Sequence, residues 1–240
     1  MSIAVGTSRS WRVTWTGSNS GGGSVGRIAI FCIMRIVCLS DTHGHCGSIK
    51  VPPGDVLIHA GDLTNTASEE ELREALVWLG RLPHAHKVFI AGNHDWLFER
   101  DPQGAASLIP AGVHYLEDSG CEIARLRFWG SPVQPWFLGM AFNRERGADI
   151  AHHWARIPAG TDVLVTHGPP FRHLDCIGGV DHGGCEMLRR RVLQIGPQLH
   201  VFGHLHDGYG TDFLGRTMLV NAAICNEAGR PTNAPTVIDL

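Results

Sequence analysis

Residues 35–43 read RIVCLSDTH. Ile36, Val37, Cys38 and Leu39 form a short apolar run with no polar position, as a strand buried on both faces requires. The run ends at Ser40 and gives way to an acid and an imidazole two positions apart, Asp41 and His43. The same grammar returns four times. Residues 55–60 (DVLIHA) lead into Gly61-Asp62, 87–91 (KVFIA) into Gly92-Asn93-His94-Asp95, 162–166 (DVLVT) into His167-Gly168-Pro169, and 199–203 (LHVFG) into His204-Leu205-His206. In open α/β sheets ligands bind beyond the carboxyl ends of the strands. Five such ends predict one pocket, and Gly61, Gly92, Gly168 and Gly203 are expected to let the backbone turn sharply there.

Outward from these five ends the pattern stays α/β. Further strands are expected at 123–129 (IARLRFW) and 217–221 (TMLVN). A helix is expected over 69–82, with Ser68 as N-cap, Glu71 completing a capping box, and Leu72, Ala75, Leu76 and Leu79 on one apolar face. A second is expected near 184–195, where Met187, Leu188, Val192 and Ile195 recur at helical spacing. The stretch 130–147 lacks periodicity and reads as a long ordered loop. Residues 34–240 make one domain. Residues 1–33 stand apart: they hold no acid, and GSNSGGGS at 17–24 has linker composition. A disordered tail or a start misplaced upstream of Met34, an organelle transit peptide, and an extra structured element all remain open for that segment.

Composition narrows the function. The net charge is −3 and no long basic run exists, which argues against a nucleic-acid track. No stretch of about 18 apolar residues offers a membrane span. Seven cysteines, an odd number without a C-x-x-C pair, fit reduced thiols and a cytoplasmic location. Fifteen histidines are the unusual feature. Imidazole, carboxylate and amide oxygen without thiolate suit Mn, Fe, Zn or Co. A lone D-x-H or G-D carries little information. All five motifs in order, each after an apolar run, carry much more.

The ordered set, together with VLIHAGDLT, VFIAGNHD, RFWGSPVQPWF, DVLVTHGPP, HVFGHLHDGYG and PTNAPTVIDL, resembles the calcineurin-like metallophosphoesterase superfamily. Within it the resemblance is to the metallophosphoesterase-domain-containing branch, from about residue 34 to the C-terminus. It implies a four-layer αββα sandwich of two mixed β-sheets flanked by helices, holding two divalent transition metal ions. By the family pattern Asp62 bridges the metals. Asp41, His43 and His206 complete one ligand set; Asn93, His167 and His204 complete the other. A metal-bridging hydroxide would attack a phosphodiester, cyclic or other small nucleotides being the expected substrates. A phosphomonoesterase and a non-catalytic nucleotide-binding regulator are the alternatives. Some animal members carry Gly in place of the first His of G-H-x-H; His204 is present here, which favours an enzyme. Asn93 and His94 would contact the phosphate, with His94 protonating the leaving oxygen and Asp95 orienting its ring. Beside such a site Trp129, Trp136, Phe137, Phe142 and Arg144 are candidates to stack a base and hold an anion, or equally to wall the sheet edge. The oligomeric state is not legible.

Overall fold

The computed structural model describes residues 11–15 and 28–240. Its layering follows from alternation along the strands. In β1 (Arg35–Leu39), Ile36 and Cys38 face one way and Val37 and Leu39 the other. The inward pair joins Val56, Ile58 and Val88 of its own sheet and Val163, Val165, Leu199, Val201 and Val220 of a second sheet in one core. Val37 and Leu39, with Leu57 and Phe89, pack on Leu72, Ala75, Leu76 and Leu79 of helix α1 (Glu69–Arg81). On the far side Leu164, Phe202 and Leu219 pack on Ile150, Trp154, Leu188 and Val192. Three cores between four layers make the αββα sandwich. Each fully buried aliphatic contributes roughly 1.5–3 kcal/mol, and the central strands carry them on both faces, which is why they read as unbroken apolar runs.

The first sheet continues through β2 (Val56–His59), β3 (His86–Phe89) and β4 (Val113–Tyr115). The second holds β5 (Ser119–Ile123), β6 (Leu126–Ser131), β7 (Val163–Thr166), β8 (Leu199–Phe202), β9 (Gly210–Leu214) and β10 (Thr217–Asn221). A final strand, β11 (Thr236–Asp239), returns to the first sheet. The orders are β11-β1-β2-β3-β4 and β9-β10-β8-β7-β6-β5. Within these two sheets β11, β9 and β5 run antiparallel to their neighbours and the other described pairings are parallel. Register brings Leu39, His59 and Phe89 side by side, so three carboxyl ends finish level. There the sheets are stitched together: Ser40 N donates to Ala222 O and Ile224 N to Ser40 O, each at 2.9 Å.

Three expectations need correction. The strand read at 123–129 is two strands, β5 and β6, joined by a turn with Ala124 and Arg125 at φ 48° and 74°. That turn carries neither Gly nor Asn, so its sequence signal is missing. Glu71 does not close a box on Ser68; Ser68 Oγ accepts from Glu71 N, but the Glu71 carboxylate accepts from Asn65 N and Thr66 N at 2.7 Å. The stretch 130–147, expected as loop, holds the end of β6 and two short parallel strands, Gln134–Pro135 and Asn143–Arg144; helices α2 (Trp96–Arg100), α3 (Pro102–Ser107) and α4 (Ala148–Ala155) were not expected. The expected second helix is α5 (Glu186–Ile195). Within 1–33, strands Trp11–Trp15 and Ile28–Cys32 pair antiparallel; residues 1–10 and 16–27, on which the tail reading also falls, lie outside the described residues. Among the described residues no helix is long and apolar enough to cross a membrane.

Candidate metal centre

The level strand ends deliver the expected residues to one cleft between the two sheets. Asp41, His43 and His206 bring ligand atoms within 4.8 Å of one another, as do His43, Asp62 and His94, and Asp41, Asp62 and His167. Asp62 Oδ2 lies 3.7 Å from His43 Nε2 and 3.4 Å from His167 Nε2. His167 Nε2 is 2.8 Å from Asn93 Oδ1, and His206 Nε2 is 3.4 Å from Asp41 Oδ1. His204 joins differently: its ring lies 5.0 Å from that of His167, and its backbone N donates to the Asp41 carboxylate at 3.0 Å. Asp41, His43, Asp62 and His204 all have positive φ, from 40° to 66°. Each costs on the order of 1 kcal/mol or more for a non-glycine residue. The turns are held against that cost by Asp41 N to Gly61 O, and by Thr42 N and His43 N to Asp62 O.

The expected glycine role is only partly met. Gly61 has φ 100°. Gly92 and Gly203 do not need a positive φ; they are glycine for lack of room, because a Cβ would overlap Asp62 Oδ1 and Asp41 Oδ2 respectively. Gly168 has neither constraint, its hypothetical Cβ meeting nothing closer than 3.8 Å.

The donor set fits divalent cations. His167 Nδ1 lies 3.0 Å from Ala60 O and His206 Nδ1 3.0 Å from Asn226 O. Donation of those protons leaves both Nε2 lone pairs pointing into the cleft, as metal-binding imidazoles are usually arranged. Lone pairs from Asp62, Asn93 and His167 then crowd together, which is unfavourable unless positive charge sits among them. With protein charges alone, that charge is a proton. Burial opposes it on His167, but Asp62 and Asp41 prevail and raise the pKa to about 9. His206 rises to about 9 in the same way, burial being outweighed by its bond to Asp41. Asp41 falls to about 2 against the cost of burial, through His206 and then His167. Asp62 falls as well, again against burial, mainly through His167. His204, held off by burial and then by His167, drops to about 3 and stays neutral.

Other expected residues lie elsewhere. Asp95 does not orient His94. The His94 Nδ1 lies 3.3 Å from Asn65 O, while Asp95 accepts from Gly92 N, Leu63 N and Thr64. The cause is the turn, in which Asp95 N bonds Gly92 O and sends the side chain back beneath its own loop. Burial first and Asp62 second raise the Asp95 pKa. Trp129 sits opposite Leu164 in register, on the helix side of the second sheet, and packs in that core. Phe142 is buried on the other sheet. Arg144 donates to His153 Nε2 at 2.9 Å and to Asn143 O at 2.7 Å. Trp136 is 55% exposed on the loop flanking the cleft, and the aromatic that meets the cluster is its neighbour Phe137, 5.2 Å from the His204 ring. Asn221 ends β10. Wholly buried, it donates to Leu205 O at 2.8 Å and braces the turn between His204 and His206.

A four-layer sandwich with carboxylates and imidazoles gathered where its sheets meet defines a metal-dependent phosphoesterase. The chain belongs to the calcineurin-like phosphoesterase family, whose sequence model matches residues 34–208. It is 40% identical over 232 residues to metallophosphoesterase domain-containing protein 1 of Homo sapiens, covering 86% of this chain and 71% of the relative. It is 38% identical over 217 residues to UPF0046 protein K07C11.7 of Caenorhabditis elegans, covering 85% and 74%. Among solved structures, TT1561 of Thermus thermophilus shares the fold with a TM-score of 0.59 at 12% identity, over 79% of this chain and 88% of that one.

Proposed function

We propose that the chain hydrolyses phosphodiesters of small or cyclic nucleotides at a dinuclear centre bridged by Asp62. Asp41, His43 and His206 would complete the ligands of one cation, and Asn93, His167 and His204 those of the other. The observation that carries the reading is the Asp62 carboxylate, set between an imidazole of each sheet, His43 and His167. Two divalent cations, when bound, supply a water acidified from pKa 15.7 toward about 7 and charge to neutralise the phosphoryl oxygens.

The protein's own groups do the rest. Asp62 Oδ1 is engaged by His94 N at 2.8 Å, so Oδ2, facing His43 and His167, would be the oxygen left to hold the cations. The Asn65 carbonyl holds His94 by Nδ1, leaving Nε2 to hand a proton to the departing oxygen. Such acid catalysis is worth about 10²–10⁴-fold. A monoester carries more charge than a diester and favours bidentate guanidinium contacts. The loop arginines are engaged elsewhere: Arg144 on His153, Arg146 on Gly183 O and Gly184 O, and Arg172 over the Phe171 ring. This favours diesters.

The test compares bis(p-nitrophenyl) phosphate with p-nitrophenyl phosphate under added Mn²⁺, alongside measured metal content. The expected result is two metals per chain and preferential turnover of the diester. Preferential turnover of the monoester would replace the reading with a phosphomonoesterase. Two bound metals without turnover of either ester would replace it with a nucleotide-binding regulator.

A further inference from the structure

The turns after β2 and β3 that carry candidate metal ligands are tied together by a buried carboxylate whose hydrogen bonds go to backbone amides and the Thr64 hydroxyl. Asp95 is 1% exposed. Its Oδ2 accepts from Gly92 N at 2.8 Å and Leu63 N at 3.2 Å; its Oδ1 accepts from Thr64 N at 2.9 Å and the Thr64 hydroxyl at 2.8 Å. Leu63 and Thr64 follow Asp62 directly, and Gly92 precedes Asn93. The return link is His94 N to Asp62 Oδ1. The two turns therefore clasp each other reciprocally, each lending a carboxylate to the other's backbone.

We propose that Asp95 is a positioning residue: it sets the spacing between Asp62 and Asn93, and through it the affinity of the cleft for divalent metal. The proposal rests on the ligand roles given above for those two residues. Both oxygens of Asp95 face donors, so an acceptor-only group is required. An amide in its place would turn NH₂ against either the Gly92 and Leu63 amides or the Thr64 pair, whichever way it rotates. Outer-shell partners of this kind commonly set metal affinity by about 10–100-fold. Orientation of the His94 ring is not part of this role.

The experiment uses Asp95→Asn and Thr64→Val in the full chain. Circular dichroism and thermal melting check the fold, calorimetric titration measures Mn²⁺ binding, and kcat and KM for bis(p-nitrophenyl) phosphate are taken at one pH. In D95N, Mn²⁺ should bind about 10–100-fold more weakly. kcat should fall with KM little changed. Thr64→Val, which removes one of the four bonds, should weaken Mn²⁺ binding less and in the same direction. A folded D95N with wild-type Mn²⁺ affinity overturns the proposal. If D95N does not fold, wild-type Mn²⁺ affinity in T64V overturns it instead. Should the wild type cleave no diester, the diesterase reading fails on its own while the Mn²⁺ titration still decides the role of Asp95.

Discussion

The two sheets contribute unlike halves to the cleft. From the first come two carboxylates, an amide and two imidazoles: Asp41, Asp62, Asn93, His43 and His94. From the second come three imidazoles, His167, His204 and His206. Carboxylate oxygen thus enters from one side and imidazole nitrogen from the other, and Asp62 faces both. A centre built this way exists only where the sheets are joined. The backbone bonds through Ser40, Ala222 and Ile224 make that joint directly behind Asp41. Substrate charge would be met by whatever cations the first half draws in, because Arg144, Arg146 and Arg172 are engaged elsewhere.

The largest effect should come from removing the shared acid. In Asp62→Ala both equivalents of Mn²⁺ should be lost at concentrations that saturate the wild type, with activity down on the order of 10³-fold or more, about 4 kcal/mol of transition-state stabilisation. Retention of one tight equivalent would show that a half can hold metal alone and would break the comparison. Next comes His94→Ala. It removes an imidazole of the first half that is assigned to the substrate and not to metal, so both equivalents should remain while kcat falls by about 10²-fold or more. Loss of metal along with rate would move His94 into the ligand set.

What could be read from the chain follows the same division. Each candidate ligand trails a strand buried on both faces, so unbroken apolar runs located Asp41, Asp62, Asn93, His167 and His204 before any fold was known. The helix-side placement of Trp129 was also within reach, since Phe128 and Trp129 must face opposite ways in β6 and only one can meet the helices. Asp95 was not legible. Adjacency to His94 suggests a pair, whereas the turn from Gly92 to Asp95 separates their side chains, and no spacing rule reports a turn's internal direction. The β5–β6 turn was hidden for another reason, since Ala124 and Arg125 adopt positive φ without the residues that usually announce it. Phe137 lay among several aromatics, and only the loop's course selects it. Asn143 fixes that course, accepting from Phe137 N at 3.0 Å and donating to Phe137 O at 3.3 Å.

The smallest predicted effect compares two buried histidines with matching surroundings. His59 in β2 meets Thr42 Oγ1 at 3.0 Å, and His200 in β8 meets Thr166 Oγ1 at 2.8 Å. Both are 0% exposed on the helix side of their sheets. Burial lowers His200 to about 3 with no opposing charge, whereas burial lowers His59 only to about 4 because Asp41 and Asp62 pull the other way. For both, the unfolded chain takes up a proton near pH 6.5 that the folded chain refuses, so stability is lost as pH falls below 6.5. The raised pair, His167 and His206, does not contribute to this slope. Their stabilisation is lost as pH rises toward about 9 and is complete and constant below 6.5. In chelator-stripped protein, urea unfolding at successive pH values should show stability declining from pH 6.5, each such histidine contributing up to about 1.4 kcal/mol per pH unit. His200→Leu should flatten the decline down to about pH 3, and His59→Leu only down to about pH 4. Equal windows for the two variants would mean that the carboxylates of the first half are not felt one strand away, and that the asymmetry between the sheets ends at the cleft.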